Sequence, residues 1–336
     1  MVLYAHNFNG TAYLISFLQS WKCQKYSDVK RFRRCLSTFL ALGLFSVPHL
    51  HASEYINVPM DLSSWSFKGG KFECKLVHSK IPQGKFYFRL LPNDNVSFVA
   101  ELSSNDKSWS RASLQSVRAP WQKGREPFVI DTLEVVNNQK RLVFQQGISE
   151  LLDNVHQGRW VTLSLSGSND SLKLTIPTIQ MNTSLDSLDA CRSELPKMTF
   201  AQARDVVLPF AFGQLSLSAS QSHKLRALKS YIIRDDRITK ILVDGYTDNV
   251  GSSVANLSVS RKRAEKVADM LTQLGIDKGL IEVRAHGARY PVASNSTTDG
   301  RDKNRRVTLR LVRDNEDIVP RNSRNTEINK NKVIVQ

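Results

Sequence analysis

At 336 residues the chain is long enough for about two domains of ordinary size. Its 41% hydrophobic and 23% charged residues are those of a globular protein, and no run of about 18 apolar residues occurs, so no transmembrane helix is expected. The net charge of +16 points toward polyanions. Residues 1–52 carry six Lys or Arg and one Asp, so +11 remains without them. The remaining cations are scattered and not interleaved with aromatic residues, which argues against nucleic acid as a partner.

The start of the chain reads as a targeting segment. Lys30-Arg31-Phe32-Arg33-Arg34 is a basic flank, Leu36 to Val47 is apolar, Pro48 breaks the run, and Leu50-His51-Ala52 resembles a small-residue cleavage site. This is the order of a secretory signal peptide, with the cut expected after Ala52 and Val29 as an alternative initiator. The competing reading is a short buried helix. No cysteine follows at a lipid-attachment spacing. Cys23 and Cys35 fall within the removed part, leaving Cys74 and Cys191. An even pair in an exported chain predicts one disulfide. Closing so long a loop contributes roughly 4–5 kcal/mol in the chain-entropy model. His78, His156, His223 and His286 lie far apart, with no metal-ligand spacing.

Residues 53–195 read as a β-rich, partner-docking domain. Short β-branched or aromatic runs recur at Lys71–Val77, Lys85–Leu91, Val96–Leu102, Ala112–Val117, Arg141–Phe144, Trp160–Leu165 and Leu172–Ile176, punctuated by Pro, Gly, Asn and Asp turns. Ile148, Leu151, Leu152 and Val155 recur at helical spacing, and Gly158 ends that helix. A single sandwich or barrel is the economical arrangement. Leu195 to Arg204 reads as a linker.

Residues 196–313 change character. Val206–Phe210 is a strand, and Ser220 opens a helix whose face is Leu225, Leu228 and Ile232. Ile238–Tyr246 is a near-continuous apolar strand. Ser258 or Ser260 is expected to cap a second helix with Ala264, Val267, Ala268, Leu271 and Leu274 on its packed face, closed by Gly275. Ile281–Ala285 and Val307–Val312 are further strands. Strands alternating with helices predict a layered unit, and the whole chain is therefore α+β. Residues 314–336 read as a flexible tail.

The chemistry concentrates in this second half. Asp248 follows a strand end, and Arg263 comes fifteen residues later on the next helix. A carboxylate and a guanidinium facing one cleft suit a zwitterion: Asp248 takes an ammonium and Arg263 grips a carboxylate bidentately. A helix N-terminus near Ser258–Ser260 would add positive potential, and Asn256 offers both a donor and an acceptor. Arg305 and Arg306 alternate across a strand, so only one can face the cleft. The competing reading is a surface ion pair worth about 0–1 kcal/mol.

Gly245-Tyr246-Thr247-Asp248, Gly251, Asn256, Val259-Ser260, Arg263-Ala264, Gly287, Pro291 and Asn304-Arg305-Arg306-Val307 resemble the OmpA-like peptidoglycan-binding domain. Val259 stands where that family usually has Leu. The resemblance implies a βαβαβ mixed sheet and a ligand in the diaminopimelate stem peptide, held by Asp248 and Arg263 with Thr247, Asn256 and Arg306 in support. More faintly, Glu73-Cys74-Lys75-Leu76-Val77-His78, Pro120-Trp121 with Gly124, Gly147-Ile148-Ser149-Glu150-Leu151 and the placement of Cys191 resemble the first domain of the MotY family of sodium-driven flagellar motor proteins. That resemblance implies a periplasmic ring component at the basal body and outer membrane that supports stator assembly and has ring and stator proteins as partners. A general OmpA-like envelope anchor is the alternative. No nucleophile elbow, P-loop or zinc spacing is present, so neither an enzyme nor a cofactor is expected.

Overall fold

The computed structural model describes residues 52–103, 108–124, 126–136 and 139–316. All of the expected signal peptide but Ala52, and most of the expected tail, lie outside these residues. No described helix is long and apolar enough to cross a membrane.

The N-terminal half is built from two five-stranded sheets sharing one core. One sheet has the order β1-β10-β9-β6-β7, from Ala52–Asn57, Asp170–Ile176, Trp160–Ser166, Arg111–Val117 and Phe128–Glu134. The other has the order β2-β3-β4-β5-β8, from Trp65–Gly69, Cys74–His78, Gly84–Leu91, Asn95–Leu102 and Arg141–Phe144. Alternation sorts side chains between faces. On β4, Phe86, Phe88 and Leu90 point into the shared core, and Phe88 meets Phe98 of β5 edge to face at 5.1 Å. Helix α1 (Ile148–His156) buries the four apolar residues that its spacing picks out.

Three strands of this half, β1, β2 and β7, and one helix have no counterpart among the sequence expectations. That helix, α2 (Asn182–Glu194), buries only Leu185 and Leu188. With so narrow an apolar stripe, periodicity alone does not reveal it. Cys191 on α2 forms a disulfide with Cys74 on β3 across 117 residues, pinning the helix to the sheet.

His156 closes α1 and reaches Asp189 of α2 at 2.9 Å. Burial pulls its pKa down, but hydrogen bonds to the Leu152 carbonyl and to Asp189 outweigh this and raise it above the ordinary histidine value. A raised folded-state pKa stabilises below the unfolded value, and that contribution disappears as pH climbs through the folded one. His156→Gln is therefore expected to flatten the decline in stability on going upward from about pH 6.5. Urea midpoints of both proteins across that window check this; parallel curves would refute it.

The C-terminal half forms a four-stranded sheet in the order β11-β14-β12-β13, from Asp205–Pro209, Arg306–Arg313, Ile238–Gly245 and Ile281–Ala285. β12 and β13 are parallel, while β14 runs antiparallel to β11 and β12. Helices α4 (Ala219–Ile232) and α5 (Ser253–Gln273) contribute Leu225, Leu228, Ala264, Val267 and Leu271 to a second core. The expected linker contains a short helix, α3 (Phe200–Arg204), opened by a reciprocal Thr199–Gln202 capping box.

The two cores are joined through the loop before β3. Phe72 packs against the second core and lies 5.3 Å from the Tyr231 ring. Lys71 pairs with Asp236, and Arg234 pairs with Glu194 at 2.8 Å.

Candidate functional site

Strand β12 delivers Thr247 and Asp248 from its C-terminal end. Gly245 lets it do so. A Cβ there would stand 2.1 Å from the Ser260 carbonyl oxygen of α5, so strand and helix touch backbone to backbone. Gly245→Ala is expected to cost about 1–3 kcal/mol through overpacking and to displace the following turn. An unchanged urea midpoint would show that the contact is slack.

The turn itself is tied at both ends. Asp248 Oδ1 accepts from the Val250 amide at 3.1 Å, and Gly251 takes φ +95°, a left-handed conformation suited to glycine. Ser252 then caps α5 by accepting from the Ala255 amide. The expectation of a cap at Ser258 or Ser260 is thus corrected: both lie inside the helix, and Ser260 is fully buried, donating to the Leu257 carbonyl. Starting at Ser253, the helix places Arg263 well beyond its first turn, out of reach of the terminal dipole. Asn256 lies near the helix start and is buried.

Arg263 is 2% exposed. Its Nε donates to the Gln214 carbonyl at 2.9 Å and its Nη2 to the Ala211 carbonyl at 3.1 Å, while the guanidinium stands 5.2 Å from the Phe210 ring centre. One edge of the guanidinium therefore clamps the segment after β11. Its buried Nη1 has no hydrogen-bond partner among the described residues, nor has the buried Thr247 hydroxyl. Burial, followed by the positive charge of Arg305, pulls the Arg263 pKa below its ordinary value, and Asp248 acts in the opposite direction. The three charges thus share one electrostatic neighbourhood, in which a further anion is favoured.

The partner of Asp248 is Arg305. Its Nη1 donates to Asp248 Oδ2 at 2.7 Å, its Nε donates to the Phe210 carbonyl at 3.3 Å, and it also pairs with Asp302. A shallow hollow opens here, lined by Pro209, Phe210, Ala211, Phe212, Asp302 and Arg305. Arg306, named from the sequence as a supporting residue, goes elsewhere. It donates to the carbonyls of Asn304 and Tyr290 and lies 4.0 Å over the Tyr246 ring. Neighbouring residues entering a strand point to opposite faces, so once Arg305 reaches Asp248, Arg306 cannot.

Ser260 and Gly287 belong to the motif read from the sequence, whereas Asp244 and Arg284 were not singled out there. Ser260 Oγ accepts from the Gly287 amide at 3.0 Å, and the Gly287 carbonyl accepts from the Thr247 amide at 3.0 Å, holding the loop after β13 against the site. Asp244 accepts from both Arg284 and His286 just below. Among the described residues, no group of three or more His, Cys, Asp or Glu is placed to hold a metal ion.

Comparison with known proteins finds matches to two separate parts of the chain. A family model described as the MotY N-terminal domain matches residues 57–196, and the OmpA family model matches residues 209–305. The chain is 25% identical over 266 residues to the sodium-type flagellar protein MotY of Vibrio parahaemolyticus, spanning 77% of this chain and 90% of that protein. It is 43% identical over 72 residues to the outer-membrane lipoprotein YfiB of Pseudomonas aeruginosa, spanning 21% of this chain and 43% of that protein. The crystal structure of the peptidoglycan-associated lipoprotein from Burkholderia pseudomallei aligns over 32% of this chain and 89% of its own, with 29% identity and a TM-score of 0.30. The chain thus joins a region matching the MotY N-terminal domain to a region matching the OmpA family.

Proposed function

We propose that this protein tethers a flagellar motor structure to peptidoglycan through residues 196–313, while residues 53–195 dock it to the basal-body ring and to stator proteins. The observation that carries this reading is the buried, half-satisfied guanidinium of Arg263 beside the Asp248–Arg305 pair. An amino-acid head group supplies what these groups lack. Its carboxylate takes the free Nη1 of Arg263 and the Thr247 hydroxyl, and its ammonium takes the remaining lone pairs of Asp248. The diaminopimelate stem peptide is the wall component with that zwitterion. Asn256 lines the approach. Arg305 orients Asp248, and Arg306 supports the strand end through Tyr246.

The action is holding, not turnover. A single such site binds a soluble fragment weakly, but many copies on one continuous polymer gain through effective concentration. The location that follows is the periplasm, at the basal body and outer membrane. A general envelope anchor is the second reading, and the similarity of the C-terminal part alone to YfiB favours it. Gene deletion separates the two: loss of swimming with an intact envelope supports the motor role, and normal swimming with a leaky envelope supports the anchor. A fluorescent fusion should gather at the flagellated pole; an even rim around the cell would count against the motor.

A further inference from the structure

The two sheets of the N-terminal half differ on their outer faces. On the sheet containing β4, Val77, Tyr87 and Val99 form a small buried cluster. The other sheet presents a polar surface. Its register aligns Tyr55, Lys173, Ser164, Ser113 and Thr132 in one row across all five strands. The neighbouring row is Ser53, Ser171, Ser166, Arg111 and Glu134. The residues between these rows, such as Ala112, Leu165 and Leu172, turn to the core side.

Short hydroxyl side chains leave a hollow at the centre of this face, walled by Tyr55, Arg111 and Lys173. Tyr55 is 72% exposed. Arg111 and Lys173 make no ion pair among the described residues, and Glu134, at the β7 edge opposite Arg111, is the only carboxylate in the two rows. Ser and Lys, which dominate this surface, are depleted at protein interface cores, although Tyr55 and Arg111 are of types enriched there. A hydroxylated ring polymer suits it well. Serine hydroxyls both donate and accept, the exposed tyrosine offers a flat apolar face with a polar tip, and two unpaired cations call for anionic substituents. Five strands at a spacing of about 4.8 Å give a trough roughly 19 Å across.

We propose that this face binds an acidic glycan, namely the sugar backbone of the cell wall where its carboxylates are free of peptide. The wall as the source rests on the tethering reading above; the sheet surface itself is independent of Asp248 and Arg263. The protein would then hold both chemical parts of one polymer, the peptide by its C-terminal half and the sugar by its N-terminal half.

Titrating the full chain with peptide-free glycan strands, followed by calorimetry, tests this. Lys173→Gln and Arg111→Gln are each expected to weaken binding about tenfold, Tyr55→Ala should also weaken it, and Asp248→Asn should leave it unchanged. All three altered side chains on this face are at the surface, so their folds should be intact. Absence of binding would overturn the proposal, as would binding indifferent to both cation variants. Equal binding of uncharged N-acetylglucosamine oligomers would remove the acidic requirement, and preference for anionic phospholipid vesicles would identify a membrane instead. If Asp248→Asn abolishes sedimentation with intact wall while glycan strands fail to bind, this proposal falls and the tether stands. If the glycan result holds while Asp248→Asn binds soluble stem peptide as well as the wild type does, the tether assignment falls alone.

Discussion

Replacing Arg263 by lysine is expected to weaken binding to insoluble peptidoglycan by about 30-fold or more. Lysine keeps the charge but loses the planar fork. The native guanidinium divides its donors between two tasks: Nε and Nη2 hold the carbonyls of Gln214 and Ala211, and Nη1 is left for a ligand. An ammonium cannot do both in that geometry. Truncating one partner of a buried, hydrogen-bonded charge pair costs about 2–5 kcal/mol, and about 1.4 kcal/mol is tenfold in affinity. Asp248→Asn is the companion variant. It nearly preserves shape and can still accept from the Val250 amide, but leaves Arg305 without its partner at 2.7 Å. Co-sedimentation with purified wall measures both, and melting temperatures show whether the folds persist. Wild-type sedimentation by two well-folded variants would remove Asp248 and Arg263 from the binding reaction.

Cys74→Ser should have the largest effect on stability. The bond spans 117 residues and joins β3 to α2, and Cys74 is fully buried. For a loop of this length the chain-entropy model gives about 4–5 kcal/mol, which corresponds to a fall of about 10–20 °C in the melting temperature of a domain of this size. The effect should be confined to the N-terminal transition, because the second core contains no part of the bond. Cys191→Ser, or reduction of the wild-type protein, should reproduce it. Calorimetry showing an unchanged first transition would mean that the bond only decorates an already stable sandwich.

Much of the architecture was legible in the order of residues. Strand β13 falls at Ile281–Ala285, the bounds expected from the sequence, and α1 buries the same four residues that its spacing selects. These elements announce themselves because one face is apolar and the period is unbroken. Helix α2 stayed hidden because it buries two leucines among polar neighbours and is held by a disulfide as much as by packing. The start of α5 was misplaced because Ser252, Ser253, Ser258 and Ser260 all compete for the cap. Ser252 wins because Gly251 turns the chain there.

From local pattern alone came the α+β order, the cysteines available for bonding, and an acid and a base spaced around a strand end and a helix. Local sequence suffices for these because backbone period, turn chemistry and residue type act over a few residues. The tertiary structure decided that Arg305 and not Arg306 meets Asp248, 57 residues away, and that the Gln214 carbonyl, 49 residues before Arg263, takes its Nε. It also decided that one guanidinium nitrogen is left without a partner among the described residues. Contacts of that range depend on how strands pair and which way side chains point once they do, and no short window of sequence contains that information.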